Sequence, residues 1–148
     1  MKIYFEDFVI GSSRTGPIRE ITEADILLHA NQTGDFYPHH MDAEWCATQP
    51  FKKRMAHGTL VLSIAVGSLA DEINEAAMSY GYDRVRFIAP VFIDDTIQAH
   101  SEIFAVREHA KSAGKYGLVD ENVVVRNQHQ EIVMAFTHIY LVETKVGA

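Results

Sequence analysis

Leu60 to Met78, LVLSIAVGSLADEINEAAM, reads as one long buried helix, and the fold follows from it. Leu62, Val66, Leu69, Ile73 and Ala77 recur at the three-and-four spacing of a helical face. Leu60, Val61, Ile64 and Ala65 make the first half apolar on nearly every side, as in a helix covered by its neighbours. Asp71, Glu72, Asn74 and Glu75 follow, so the far end is expected to emerge into water. Downstream the texture changes. Tyr82 to Ala89, Asp95 to Arg107, Tyr116 to Asn127 and Glu131 to Val142 read as strands, and in the second Ile97, Ala99, Ser101 and Ile103 alternate with Thr96, Gln98, His100 and Glu102. Turn signals at Asp94-Asp95, Ser112-Ala113-Gly114 and Asn127 to Gln130 make the connections short, which implies antiparallel neighbours. The expected architecture is an α+β domain over residues 1–148, its antiparallel sheet curved round the long helix. Such a sheet keeps an exposed edge, so pairing of two copies into a homodimer is expected.

Upstream, residues 1–21 read as short extended pieces with turns at Gly11-Ser12-Ser13 and Gly16-Pro17. Thr22 is placed as a helix N-cap with Asp25 in the capping-box position, and the helix runs to about Thr33, where Gly34 closes it. His29 within it is read as a surface or partly packed residue. Pro38 lacks an N–H and disfavours a helical Tyr37, so Asp35 to Asp42 reads as a loop. Asp42 then caps a short helix from Ala43 to Thr48.

The formal net charge of −7 argues against a nucleic-acid surface. Lys52, Lys53 and Arg54 form a local basic patch, open to a solvated-loop or a phosphate-contact reading. Cys46 is the single cysteine, which excludes an internal disulfide; it reads as a small packed residue. Glu6 and Asp7 interrupt the N-terminus before a signal-peptide core develops, and the apolar run Leu60 to Ala70 falls short of the ~20 residues that span a bilayer. No membrane association is expected, and the default is a soluble cytoplasmic protein.

Asp35 and His40 lie five apart in a segment stiffened by Pro38. A carboxylate and an imidazole that reach one water form a workable acid/base pair, one accepting its proton while the other delivers one to a substrate. His57-Gly58 stands at the mouth of the buried helix. The first turn of a helix leaves N–H groups unpaired, and these stabilise a developing oxyanion. His39, His40, Asp42 and His57 suggest a metal site, but no helical i, i+4 His pair exists, and no metal is expected. There is no Gly-rich phosphate loop and no GxSxG elbow.

Gly34-Asp35-Phe36-Tyr37-Pro38-His39-His40-Met41-Asp42, Pro50-Phe51 and Arg54-Met55-Ala56-His57-Gly58 together resemble the signature of MaoC-like (R)-specific enoyl-CoA hydratases. The resemblance implies the hotdog fold, usually dimeric, with a substrate tunnel near the dimer interface. It implies reversible (R)-specific hydration of trans-2-enoyl-CoA, with the CoA thioester as substrate and no further cofactor. It places the catalytic Asp on Asp35, the catalytic His on His40, and the glycine whose N–H faces the thioester carbonyl on Gly58. Two departures stand out: Tyr37 occupies a position where many relatives have Asn, and Val66 falls near that of a small polar residue. Phe36, Tyr37, Trp45, Met55 and His57 are candidate substrate contacts. Lys53 and Arg84, with Lys52, Arg54 and Arg86, are candidates for the CoA phosphates. Two rival readings are a hotdog thioesterase using Asp71 or Glu72, and a non-catalytic acyl-CoA-binding module.

Overall fold

The computed structural model describes residues 1–70 and 74–147. A short 3-10 turn (Phe5–Asp7) precedes β1 (Ser13–Thr15) and β2 (Arg19–Glu20). Four helices follow: α1 (Glu23–Thr33), α2 (Pro38–Met41), α3 (Ala43–Ala47) and α4 (Gly58–Ser68). The chain ends in four long strands, β3 (Ala77–Phe87), β4 (Thr96–Glu108), β5 (Tyr116–Asn127) and β6 (Ile132–Glu143). All pairings are antiparallel in the order β1-β4-β5-β6-β3, with β2 also on β4. The four strands agree with the sequence expectation to within a few residues at most ends.

The central helix is shorter than its apolar spacing suggests. It stops at Ser68, where Leu69 N–H and Ala70 N–H donate to Val66 and Gly67 carbonyls in a tightened last turn. Gly67 is a weaker helix former than the residues before it. Ala77 and Met78, expected on the helix, instead pair with Val142 and Leu141 as the start of β3. The unpaired backbone of β6 offered those residues a ladder that outweighed their helical period. Asn74 fixes the connection, its side chain exchanging hydrogen bonds with both main-chain groups of Ile3. Asp71, Glu72 and Ile73 lie outside the described residues.

Leu60, Val61 and Ala65 of α4, with Leu69 just beyond its end, pack on Ile97, Ala99, Val123, Val125, Met134 and Phe136 of the sheet, while Leu62, Ile64 and Val66 remain partly buried. Each fully buried Val, Leu, Ile, Met or Phe side chain among them contributes roughly 1.5–3 kcal/mol. In β4 the buried set Ile97, Ala99, Ser101 and Ile103 is the one its alternation implies. β3 is an edge strand, and it exposes Met78, Tyr80, Tyr82 and Phe87, with Ile88 just beyond it. Among the described residues no helix is long and apolar enough to cross a membrane.

Candidate active site

The N-terminal end of α4 collects the residues singled out for chemistry. α1 is held at its start by the reciprocal Thr22–Asp25 capping box and stopped by Gly34 at φ 80°. That positive φ turns the chain sharply into Asp35. Tyr37 N–H donates to Asp35 Oδ1 at 3.3 Å, which leaves Oδ2 facing His40. Pro38 does not keep the next residues in a loop, as its sequence context suggests. It sits at the first position of α2, where its missing N–H costs no helical bond. That single turn presents His40.

His40 is held from two directions. Its Nδ1–H donates to the Met55 carbonyl at 2.7 Å, and Arg54 Nε–H donates to the His40 carbonyl at 2.6 Å. A carbonyl only accepts, so Nδ1 carries the proton and Nε2 keeps a free lone pair. His40 Nε2 and Asp35 Oδ2 are 3.9 Å apart, with the Asp35 side chain 47% exposed. The gap is too long for a direct bond and suits one water touching both groups. Burial pulls the His40 imidazole below its ordinary value; the Met55 carbonyl opposes this, His57 adds to it, and Asp35 opposes it. At neutral pH the lone pair is therefore available.

His57, expected to touch substrate, is instead buried at 1% exposure. Its Nε2–H donates to the Asp35 main-chain carbonyl at 2.9 Å, and its ring stacks on His40 with centroids 3.9 Å apart at 24°. Its other edge meets His29 at 4.7 Å, and His29 Nε2 lies 2.8 Å from Thr59 Oγ1. His29 and Thr59 thus belong to the site's surroundings, a role that only the packing of α1 on α4 reveals. Donor atoms of Asp35, His40 and His57 lie within 4.8 Å of one another. Stacked imidazoles direct their in-plane lone pairs side by side rather than at one point, and the His57 Nε2–H is already committed. The set suits hydrogen-bond chemistry better than chelation.

Gly58 opens α4, and an added Cβ would come 2.5 Å from the Phe87 ring. The absence of a side chain here lets β3 close down on the helix start, where the first N–H groups lack intrahelical partners. Phe36 and Tyr37 are exposed, and the Tyr37 ring stacks on His39 at 4.9 Å. Trp45 and Phe51 join the same cluster at 5.1 and 5.6 Å from His39. Tyr37 and Trp45 are therefore seated on His39. Met55 serves through its backbone, bonding His40 and bridging to Phe92. Arg54 does not belong to a free basic patch: besides His40 it binds Glu23 at 2.6 Å. Lys53 Nζ stands 5.6 Å over the Phe92 ring, and Arg84 sits at φ 53° in a bulge of β3. A cleft of about 430 Å³ lies elsewhere, between Thr15, Gln98, His100, Arg126 and Gln128.

The opposite end of α4 carries a second polar group. Arg14 Nη1 donates to the Leu69 carbonyl at 2.6 Å, and Nη2 to both oxygens of Glu121 at 2.8 and 3.1 Å. Tyr140 O–H donates to Glu121 at 3.0 Å, and Ser79 Oγ lies 2.7 Å from His138 Nε2.

Residues 8–131 match the family described as MaoC like domain. The chain belongs to the MaoC-like domain family. Protein MaoC of Klebsiella aerogenes is 40% identical over 96 residues, 64% of this chain and 29% of that protein. The (R)-specific enoyl-CoA hydratase of Rhodospirillum rubrum is 34% identical over 96 residues, 65% of this chain and 66% of that enzyme. The chain thus spans less than two thirds of the length of both relatives. A solved structure of a monoamine oxidase regulatory protein from Archaeoglobus fulgidus matches with TM-score 0.91 at 37% identity, covering 97% of this chain and 96% of that one. The helix-in-a-curved-sheet arrangement is the hotdog fold.

Proposed function

We propose that this MaoC-like domain adds water reversibly across the double bond of trans-2-enoyl-CoA, giving an (R)-3-hydroxyacyl product. The observation that carries this reading is the 3.9 Å gap between Asp35 Oδ2 and the unprotonated Nε2 of His40. One water fills it by donating to both acceptors. As its oxygen bonds to C3, His40 Nε2 takes one proton and returns it to C2, while Asp35 orients the remaining O–H. An imidazole held neutral with a free lone pair is the better match for this transfer. Negative charge that builds on the thioester oxygen meets the Gly58 N–H and the positive end of α4. Losing one such donor typically costs about 3–4 kcal/mol of barrier.

Asp35 is half exposed in the single chain, and Phe36, Tyr37, Phe87 and Ile88 are exposed as well. Pairing of two copies along β3 would shelter these groups and give the acyl chain an apolar lining. Lys53 and Arg84 are the cations offered to the CoA phosphates. The relatives named as hydratases support the substrate class. The test is crotonyl-CoA hydration, followed by loss of the conjugated-enoyl absorbance. Asp35→Asn and His40→Ala are each expected to lower kcat by about 10²–10⁴-fold with the fold intact. Release of free CoA in place of hydration, or full activity in both variants, overturns the reading.

A further inference from the structure

His57 is an expensive choice for a site that only needs filling. It is buried at 1% exposure, and its Nδ1 has no hydrogen-bond partner. A buried polar atom without a partner is unfavourable, and a phenylalanine would occupy much of the same space without one. The other ring nitrogen and the ring face are what repay the histidine. Nε2–H reaches the Asp35 carbonyl at 2.9 Å, and the face lies against the His40 imidazole at 3.9 Å. One side chain therefore touches both members of the dyad, though neither contact involves the atoms assigned to the reaction.

We propose that His57 is a positioning residue: its Nε2–H fixes the Asp35 main chain and its ring face fixes the His40 imidazole, which together set the gap the reacting water occupies. The inference rests on the hydratase reading for its catalytic consequence and on packing alone for its structural part. The Asp35 segment needs such a tether. It follows a glycine at φ 80°, its carboxylate is exposed, and its remaining polar contacts are to Thr33 and Tyr37 close by in sequence. His57, by contrast, is anchored at the start of α4, where its carbonyl accepts from Val61 N–H at 3.1 Å. The tether joins this exposed turn to the helix at the centre of the core. The same ring keeps water off one face of His40, which supports the depressed imidazole. The other charged or titratable groups around His40 are Asp35 from the loop, His39 on α2, His29 behind His57, and Arg54 at its carbonyl.

Two variants separate the two contacts. His57→Gln keeps an N–H near the Nε2 position and loses the ring; His57→Phe keeps the ring and loses the N–H. With crotonyl-CoA, His57→Phe is expected to lower kcat about tenfold at nearly unchanged KM, and the acid limb of its pH profile stays in place. His57→Gln is expected to retain more kcat and to move that limb upward, toward an ordinary imidazole. Imidazole ¹⁵N spectra of the wild-type protein give an independent readout: His40 protonated on Nδ1 and His57 on Nε2. The opposite tautomer at either ring overturns the proposal, as do folded variants that both keep wild-type kcat and pH profile. Wild-type protein with the expected tautomers but no hydration of enoyl-CoA counts against the hydratase reading alone.

Discussion

The two ends of α4 hold much the same chemical groups arranged to opposite effect. At the N-terminal end a carboxylate (Asp35) and an imidazole (His40) face each other across 3.9 Å, each with an uncommitted acceptor. At the C-terminal end Glu121 is 2% exposed, and both its oxygens are taken by Arg14, with Tyr140 adding a third donor. His138 there is bonded to Ser79 and covered by the rings of Tyr82 at 4.6 Å and Tyr140 at 4.0 Å. The helix's own charge distribution sorts the two. Its C-terminal carbonyls favour a cation, and Arg14 supplies one at Leu69; its N-terminal amides favour a developing anion. An acid and a histidine at a helix end do not make a site. Free lone pairs and access to water do.

The contrast breaks most sharply under paired substitutions. Asp35→Asn is expected to remove most of the turnover at little cost to stability, because the Asp35 side chain is half exposed and its contacts are local. Glu121→Gln is expected to do the reverse: kcat within about threefold, and a loss of roughly 2–4 kcal/mol in a urea titration. Arg14, itself half exposed, limits that loss by turning to water. A Glu121→Gln variant that stays stable but loses turnover would erase the distinction between the two ends.

The long strands, the Thr22 cap, the Gly34 stop and the Asp42 cap were legible because each depends on neighbours in sequence. The extent of α4 was not. Ala77 and Met78 satisfy a helical period, but β6, more than fifty residues away, claimed them as an edge strand. The approach of Asp35 to His40 was legible from residue types and family resemblance; the His40 tautomer was not, since it depends on the Met55 carbonyl. Arg54 looked like part of a basic patch, because sequence does not reveal that Glu23 and the His40 carbonyl occupy it. His57 looked like a substrate contact until packing placed it behind the dyad.

A finer contrast lies in the two histidines. Burial pushes the His138 imidazole down from 6.5 to about 4, with Glu121 opposing and Arg14 adding to the shift. Unfolded chains take up this proton near 6.5, and the native fold resists it until about 4. The associated stability is whole above the higher value and drains away as pH falls toward the lower. Between pH 7 and 5 this amounts to about 2 kcal/mol. His138→Gln keeps an amide for Ser79 and removes the titration. Urea midpoints of the variant are therefore expected to fall less across that interval than those of the wild type. Equal losses would mean that His138 is open to water and no more sequestered than His40.

The smallest expected effect tests whether stability and activity separate even on the dyad's own side of the molecule. Thr22 accepts from Asp25 N–H while Asp25 accepts from Thr22 N–H, and Arg19 holds the same carboxylate at 2.9 and 3.0 Å. Thr22→Ala removes one member of this cap and is expected to cost about 1 kcal/mol. The far end of α1, where the chain turns into Asp35, is set by Gly34 and by its N–H donating to the Ala30 carbonyl at 2.8 Å. Fraying at the start of the helix should not travel through three packed turns to reach it, since Ile26 and Ala30 are fully buried between. The urea midpoint should therefore fall while kcat with crotonyl-CoA stays within about twofold. A larger fall in kcat would show that the dyad's geometry is carried by the whole of α1 rather than by Gly34 and His57 at its end.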